Sequence, residues 1–572
     1  MAKSNYENYT HAQLIAELKK LSKRKKYGLV WEEEKTKEKF EADAEGKLPV
    51  LIEDKKKEIK TDADKPTHIL IEGDNYHALS VLNYTHAKSI DVICIDPPYN
   101  TGARNWKYNN DYVEREDAYR HSKFINFLNN RFVLAKKLLS EKGIIICAID
   151  DYEVHNVRHL MDFLFGEENR LGTIVVVHNP RGRNDDKYFA TMHEYMLIYA
   201  KNKDKVKIKH FELNEDEIDK YNKQDEISTY NETSFVRTGN NSKRQERPNL
   251  FYPIYFNEKL NELSLLKKTG FVELLPINEA REEKTWRWGK ETFLEKKDTE
   301  LLVRKVKDNF RIFKKRRITN IEGTKPKTIW HDSKYDASSN GIMLLQNILG
   351  RENNFPYPKS LYTIYDILQL TTDKDSIVLD YFAGSGTTGH AIHKLNEKDG
   401  GARKYILCTN NEGNICADIT YPRIKKVIQG YKNSKGEKIE GLGGNLKYYK
   451  TNFVGSEPTH RNKKLLTDKS IEMLCIKENT FDEVINKKDS FIFKSKDKFT
   501  AILFDEMKMG EFKNEIKKLK MPVSVYVFSL EGDDFKEEFE NLKNDITLCS
   551  IPEAILKVYR RIYGAGQMKL KV

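Results

Sequence analysis

The sequence predicts an α/β protein: a permuted, Rossmann-like parallel sheet carrying a long insertion and followed by a small α/β domain. Three observations predict it. Short, wholly apolar runs (DVICI at 91–95, GIIICAI at 143–149, SIVLDY at 376–381, KYILCT at 404–409) alternate with amphipathic stretches of helical spacing, as strands covered on both faces do. A proline-rich turn follows the first of these runs, and a glycine-rich turn follows the third. Between the two sets, residues 201–340 are polar, basic and aromatic with no clear period.

The chain has 572 residues, more than one core organises, with 39% hydrophobic and 11% aromatic residues, enough to exclude a disordered chain. Its six cysteines form no CxxC pair, so neither a disulfide framework nor a zinc site is expected, and a reducing cytoplasm is the expected home. No apolar run reaches membrane-helix length, and residues 1–14 lack the apolar stretch of a secretion signal. The net charge of +12 favours polyanionic partners.

The elements follow in order. Residues 1–65 read as a helical and charged region: a helix over 10–26, capped by Thr10 with Gln13 reaching back and striped by Leu14, Leu18 and Leu21, then charged helix or linker. Residues 66–200 form the first part of the sheet domain, with strands at 68–72, 91–95, 143–149 and 173–178 and helices at 76–84, 121–140 and 151–165. Residues 201–340 are the insertion. Residues 341–454 resume the sheet domain with helix 358–370, strand 376–381, helix 387–397 and strand 404–409. Residues 455–572 read as a separate α/β unit with strands near 491–504, 523–529 and 546–549 and a helix from Glu553.

Two motifs carry chemistry. Asp96-Pro97-Pro98-Tyr99 leaves strand 91–95 at its carboxyl end, where an open parallel sheet binds ligands. The prolines fix the backbone and remove amide hydrogens. A carboxylate and a fixed Pro97 carbonyl each accept one N–H of an exocyclic amine, holding a poorly nucleophilic nitrogen toward a methyl donor, while Tyr99 offers a stacking face. A rigid loop with a helix-capping aspartate is the plainer alternative.

Asp380-Tyr381-Phe382-Ala383-Gly384-Ser385-Gly386-Thr387-Thr388-Gly389 joins strand 376–381 to a helix. Its GxGxxG matches a dinucleotide fingerprint, which keeps a nicotinamide-dependent oxidoreductase open. The same loop suits S-adenosylmethionine, with Asp380 receiving the ammonium and Glu412, after the next strand, the ribose hydroxyls.

Residues 301–340 hold 11 Lys and Arg against 4 Asp and Glu, clustered at Arg311, Lys314, Lys315, Arg316 and Arg317. Together with Arg287 and Lys290 beside Trp286 and Trp288, they are candidates for phosphate contact, or else a solvated face and a core. His155 and His159 have metal-ligand spacing but no evident third ligand. His193-Glu194 begins an HExxH that Leu197 breaks, so no metal is expected.

In this order, DPPY first and the glycine loop after a long insertion, the chain resembles the β-class amino-methyltransferases of DNA. Ile71-Glu72-Gly73-Asp74-Asn75 is similar to the family's element near the cofactor adenine, which implies a role for Asp74. Phe355-Pro356-Tyr357-Pro358-Lys359-Ser360 is similar to its PxKP-type segment, implicating Lys359, with Ser360 where proline is usual. Lys25 to Glu32 (KKYGLVWE), Asp150-Asp151 with Glu153 to Asn156, Gly166 to Asn169, Arg247 to Pro253, Thr285 to Gly289 and, more weakly, Ile551 to Glu553 with Val558-Tyr559 resemble Mod subunits of type III restriction–modification systems.

The resemblance implies methylation of adenine N6 in duplex DNA, with base flipping. It further implies S-adenosylmethionine held by Asp74, Lys359, Asp380, Phe382, Ala383, Gly384, Ser385, Gly386, Thr387 and Glu412. A target-recognition role for 201–340, a homodimer and a helicase–nuclease partner subunit are also implied. A solitary methyltransferase and a catalytically silent DNA-binding subunit remain alternatives.

Overall fold

The structure is a computed structural model that describes residues 10–15, 46–101, 103–108, 111–114, 117, 119–182, 187–307, 309–353, 355–457, 459–529, 535–542, 545–551 and 553–563. Of the helix expected over 10–26, only residues 10–15 fall within them, where the Thr10 and Gln13 backbone and side chains form the reciprocal cap. Leu18, Leu21, the segment 25–32 and Pro552 lie outside the described residues. The chain divides into two compact units, residues 1–208 with 327–572, and residues 209–326.

The first unit is organised by a 10-stranded sheet. In chain order its strands are β1 (Lys47–Glu53), β2 (Thr67–Glu72), β3 (Ile90–Ile95), β4 (Leu139–Ile149), β5 (Arg170–Val177), β6 (His193–Ala200), β7 (Ile329–Trp330), β8 (Ile377–Asp380), β9 (Lys404–Thr409) and β10 (Asn445–Gly455). Across the sheet they run β1-β10-β2-β9-β8-β3-β4-β6-β5-β7. Strand β6 is antiparallel to both neighbours and β1 is antiparallel to β10; the other pairings are parallel.

The permutation is visible in the register. Val378 of β8 lies opposite Val92 of β3 on one side and Tyr405 of β9 on the other. The order β2-β9-β8-β3 places four parallel carboxyl ends side by side, and these carry Asp74, Glu412, Asp380 and Asp96 in turn. Strand interiors are apolar on both faces because helices cover both; Ile93, Ile145, Leu379 and Leu407 are all fully buried. The helices used below are α1 (Asn75–Thr85), α2 (Arg120–Leu138), α3 (Val154–Phe165), α4 (Leu361–Thr371), α5 (Thr387–Asp399) and α6 (Tyr421–Gln429).

Three expectations need correction. Residues 47–53 are an edge strand, not charged helix or linker: KLPVLIE is a short apolar run hidden in charged text. Strands β6 and β10 were not expected at all. The C-terminal segment does not stand apart. It has its own sheet, β11 (Asp482–Asn486), β12 (Ser490–Lys494), β13 (Phe499–Leu503), β14 (Val523–Phe528) and β15 (Ile546–Ile551). Its Met473, Tyr526, Ile551 and Tyr559 nevertheless share one buried cluster with Leu48, Val50 and the main-sheet core. The Tyr559 hydroxyl donates to the Pro49 carbonyl.

The second unit has its own core of Phe235, Tyr252, Ile254, Phe256, Trp286, Phe293 and Ile312. A four-stranded sheet (Lys223–Gln224, Thr229–Ser234, Leu301–Val306, Asn309–Arg317), a three-stranded sheet and helix Lys290–Glu300 surround it. No described helix is long and apolar enough to cross a membrane.

Candidate active site

Asp96 leaves β3, and the chain turns through the two prolines to Tyr99 and Asn100. Asn100 adopts φ 54°, a left-handed conformation that asparagine tolerates better than most residues. It is fully buried, and its amide donates to Glu153, also fully buried. Glu153 in turn is bonded by His121 Nδ1 (2.6 Å) and the Asn156 amide (2.8 Å). The start of α3 therefore pins the DPPY turn, which gives the Glu153–Asn156 text a structural reason.

Four polar side chains meet inside that turn. Lys359 Nζ lies 3.2 Å from Asp96 Oδ1 and 2.6 Å from Glu194 Oε2. The Tyr99 hydroxyl donates to Glu194 Oε2 at 3.0 Å and also contacts the Lys359 ammonium, which sits 4.6 Å from the Tyr99 ring centre. Asp96 Oδ1 is buried with the Lys359 ammonium against it, while the Asp96 side chain as a whole keeps 29% of its surface exposed.

Burial, with Glu194 nearby, pushes Asp96 above the usual carboxylate range against the pull of Lys359. Burial opposes charge on Glu194 too, but Lys359, His178 and the Tyr99 hydroxyl outweigh it and hold that carboxyl low. Burial also opposes the Lys359 charge, yet the two carboxylates keep it protonated. Two carboxyls in one pocket are thus set to opposite tendencies.

Lys359 was expected at the cofactor; the structure puts it among the DPPY side chains. Ser360 begins α4, its hydroxyl accepting from Tyr362 N and donating to the Lys334 carbonyl, a task proline could not perform. Glu194 was missed. Its signal was a charged residue on the strand face it shares with Met196 and Ile198, in text read only for a metal motif.

The glycine loop turns out of β8 beside this pocket. Asp380 is 5% exposed and accepts from Phe382 N (3.0 Å) and Thr388 Oγ1 (2.6 Å); burial pushes it up to about 7. Gly386 has φ 78° and caps α5, and a Cβ at Gly389 would stand 2.7 Å from Ile424 Cδ1, so the helix can approach α6 only without a side chain there. Gly389→Val is expected to lower stability by roughly 1–3 kcal/mol, read by denaturant unfolding.

The Ser385 and Thr387 hydroxyls turn into the fold, accepting from the fully buried Arg423 at 3.0 and 2.9 Å, which leaves their backbone for the cofactor. Ala383 is buried, its amide donating to the Cys408 carbonyl at 3.1 Å. The Phe382 ring lies 5.8 Å from that of Phe127, on which the Arg131 guanidinium stacks. Arg131, another residue the sequence did not single out, bonds Asn75 (2.5 Å) and approaches Asp74 at 3.6 Å. Asp74 caps α1 by accepting from Tyr76 N. Glu412 is exposed beyond β9.

In the second unit, taken by itself, the expected basic residues divide. Arg317 is buried, held by Asp225 (2.7 Å), Glu300 (2.6 Å) and the Thr299 carbonyl, and Lys315 also bonds Asp225 at 2.6 Å. Arg311 pairs with Glu279. The Arg317 and Lys315 pairs are internal ties, while the Arg311–Glu279 pair lies on the surface. Lys314 lies 5.0 Å over the Trp288 ring, and burial with neighbouring Arg287 holds it below the usual lysine range. Arg316 and Lys290 are exposed, while Arg287 is half-buried, donating to the Ser234 carbonyl. Trp286 is core, stacked on Phe235.

With this geometry in view, comparison with known proteins is informative. A family model described as DNA methylase matches residues 90–421, from β3 past the glycine loop. The chain is 33% identical over 394 residues to the type III restriction–modification enzyme EcoPI Mod subunit of Escherichia phage P1, covering 64% of this chain and 60% of that one. It is 34% identical over 393 residues to the type II methyltransferase M.KpnI of Klebsiella pneumoniae, covering 66% of this chain and 91% of that one. Among solved structures, the PvuII cytosine-N4-specific DNA methyltransferase aligns with TM-score 0.32 at 12% identity, covering 64% of this chain and 89% of that one. The chain spans about 60% of the phage Mod subunit's length. A family match that runs through both motifs and most of the sheet between them establishes that the chain belongs to the DNA methylases.

Proposed function

We propose that the protein transfers a methyl group from S-adenosylmethionine to N6 of a flipped adenine in duplex DNA. We further propose that it serves as the modification subunit of a type III restriction–modification system in the cytoplasm. The observation that carries the reading is the placing of Asp96, whose side chain keeps 29% of its surface exposed, at the end of β3 beside the Asp380 loop at the end of the neighbouring β8. The exposed part of that carboxylate can accept an incoming amine N–H.

The loop residues fit the cofactor. Asp380 is a buried carboxyl with no cation against it among the described residues, suited to an ammonium, and glycines at 384 and 386 leave the backbone open. Asp74 and Glu412 stand beyond neighbouring strands, where ribose and base would lie. When bound, S-adenosylmethionine supplies a methyl activated on a sulfonium. Asp96 and the Pro97 carbonyl hold the amine, with Asp96 the nearest base for its proton, and Tyr99 stacks on the extruded base.

Arg287, Lys290, Lys314 and Arg316 are the residues proposed to meet phosphates. Arg316→Ala is expected to reduce the salt dependence of DNA binding by about one counterion. Arg317→Met should instead lower the melting temperature and leave that slope alone. Fluorescence titrations across salt concentrations, with thermal melts, separate the two.

The phage relative is a subunit of a restriction–modification enzyme, which supports a restriction partner; M.KpnI is named as a methyltransferase by itself, which supports a solitary enzyme. Light scattering and co-purification decide between them. The activity itself is tested by labelled methyl transfer to unmethylated DNA followed by nucleoside analysis. N6-methyladenine is expected; N4-methylcytosine or no incorporation overturns the proposal.

A further inference from the structure

His390 lies on α5, one turn past Gly386, and is 7% exposed. Its Nδ1 is 3.4 Å from an Arg423 guanidinium nitrogen. A guanidinium only donates, so Nδ1 accepts and the ring proton sits on Nε2. That Nε2–H has no partner among the described residues, yet it is not sealed from solvent. The ring lines a pocket of about 170 Å³ between α4, α5, α6 and the hairpin of strands Gly430–Lys432 and Lys438–Glu440. Leu344, Leu361, Val427 and Leu442 give the pocket an apolar side, and Lys394 stands one turn beyond His390. Lys394 pairs with no carboxylate among the described residues, whereas Glu440, which also lines the pocket, is taken by Lys438 at 2.6 Å.

Positive charge behind His390 is unmet too. Arg423 is fully buried, and its partners are all neutral: the Ser385 carbonyl and hydroxyl, the Thr387 hydroxyl and His390. No carboxylate reaches it among the described residues, and burial holds it below the usual arginine range. Burial, Arg423 and Lys394 together hold His390 well below the usual histidine range, so it offers a neutral N–H donor. A desolvated cation without an anion is costly. Water would satisfy the Nε2–H but neither cation; an anion satisfies all three. A cavity of about 150 Å³ admits benzene, so the pocket has room for a ring-sized apolar body as well.

We infer that this pocket is an effector site for a small carboxylic acid with a ring-sized apolar body. The carboxylate accepts from His390 Nε2–H and pairs with Lys394, the body lies on the leucines, and occupancy is passed through Arg423 to the glycine loop. The coupling rests on that loop's role in holding S-adenosylmethionine. An acceptor at Nε2 polarises the imidazole and makes Nδ1 a stronger acceptor, so the guanidinium is held more firmly against Ser385 and Thr387. A loop already held in place costs less to order when the cofactor arrives. The two ligands therefore favour each other, by the same factor in both directions.

The probe is benzoate, with acetate lacking the ring and benzyl alcohol lacking the charge, titrated calorimetrically into the full chain with and without S-adenosylmethionine. Benzoate is expected to bind with a Kd at or below about 1 mM, and both comparators far more weakly. Saturating benzoate should tighten S-adenosylmethionine about three- to tenfold. Lys394→Glu should lose benzoate binding while keeping cofactor affinity and methyl transfer as measured without benzoate. Ile439→Trp, which fills the rim of the pocket without removing a charge, should do the same. No benzoate binding, or binding unchanged in both variants, overturns the site. Acetate or benzyl alcohol binding as tightly overturns the ligand class, and benzoate that binds without moving cofactor affinity overturns the coupling. Methyl transfer in the absence of benzoate tests the methyltransferase reading separately.

Discussion

Asp96→Ala is expected to reduce methyl transfer to DNA by on the order of 10³-fold while leaving affinity for S-adenosylmethionine unchanged. The separation follows from the geometry. Asp96 ends β3 and faces the pocket shared by Tyr99, Lys359 and Glu194, whereas the cofactor loop leaves the neighbouring β8 and is bonded through Asp380. An amine begins to carry positive charge as its lone pair attacks, and a desolvated carboxylate beside it stabilises that charge more than it stabilises the neutral ground state. Asp96→Asn keeps an acceptor but loses the charge, so its rate should fall between those of wild type and alanine. Single-turnover transfer with equilibrium cofactor binding on the same preparations reads both quantities. An alanine variant that transfers normally would remove Asp96 from the reaction.

The second large effect is on the cofactor and on pH. Burial pushes Asp380 up to about 7, so below that value the free protein holds it neutral. An ammonium ligand requires the carboxylate. Affinity for S-adenosylmethionine should therefore fall about tenfold per unit as pH drops below 7, and level off above it.

The free protein runs the other way. A carboxyl whose folded value lies above its unfolded one contributes stability that is complete below the unfolded value and is lost as pH rises through about 7. The melting temperature without cofactor should decline across that window, and the shift on adding cofactor should grow. Asp380→Asn should flatten both dependences and weaken binding roughly 10–100-fold. Calorimetric titration in buffers of different ionisation enthalpy counts the released proton.

The strand–helix alternation and the two turns were legible because each is a contiguous stretch of text: an apolar run, then its turn. Residues joined across the fold were not. Glu194 reads as part of a strand, and only the pairing of β4, β6 and the segment ahead of α4 makes it a partner of Lys359. Lys315 and Arg317 read as a basic run because Asp225, which ties both, lies about 90 residues away in sequence. Ser385 and Thr387 sit inside a recognisable loop, but the direction of their hydroxyls is decided by Arg423 on another helix. Edge strand β1 was hidden because its short apolar run stands alone between long charged stretches.

The late strand wedged into the middle of the sheet also sets a timetable for synthesis. Once β3 and β4 have emerged, the flank of β3 that will receive Val378 opposite Val92 stays bare until β8 is made. At about 5–20 residues per second, that wait is roughly 12–46 s. For that interval an apolar edge is open to pairing with other chains, while the unit of residues 209–326 is completed in between. Nascent chains halted shortly before residue 377 are expected to aggregate, and those released after β10 to remain dispersed. The shuffled strand order thus makes the ribosome's pace part of how this sheet is assembled.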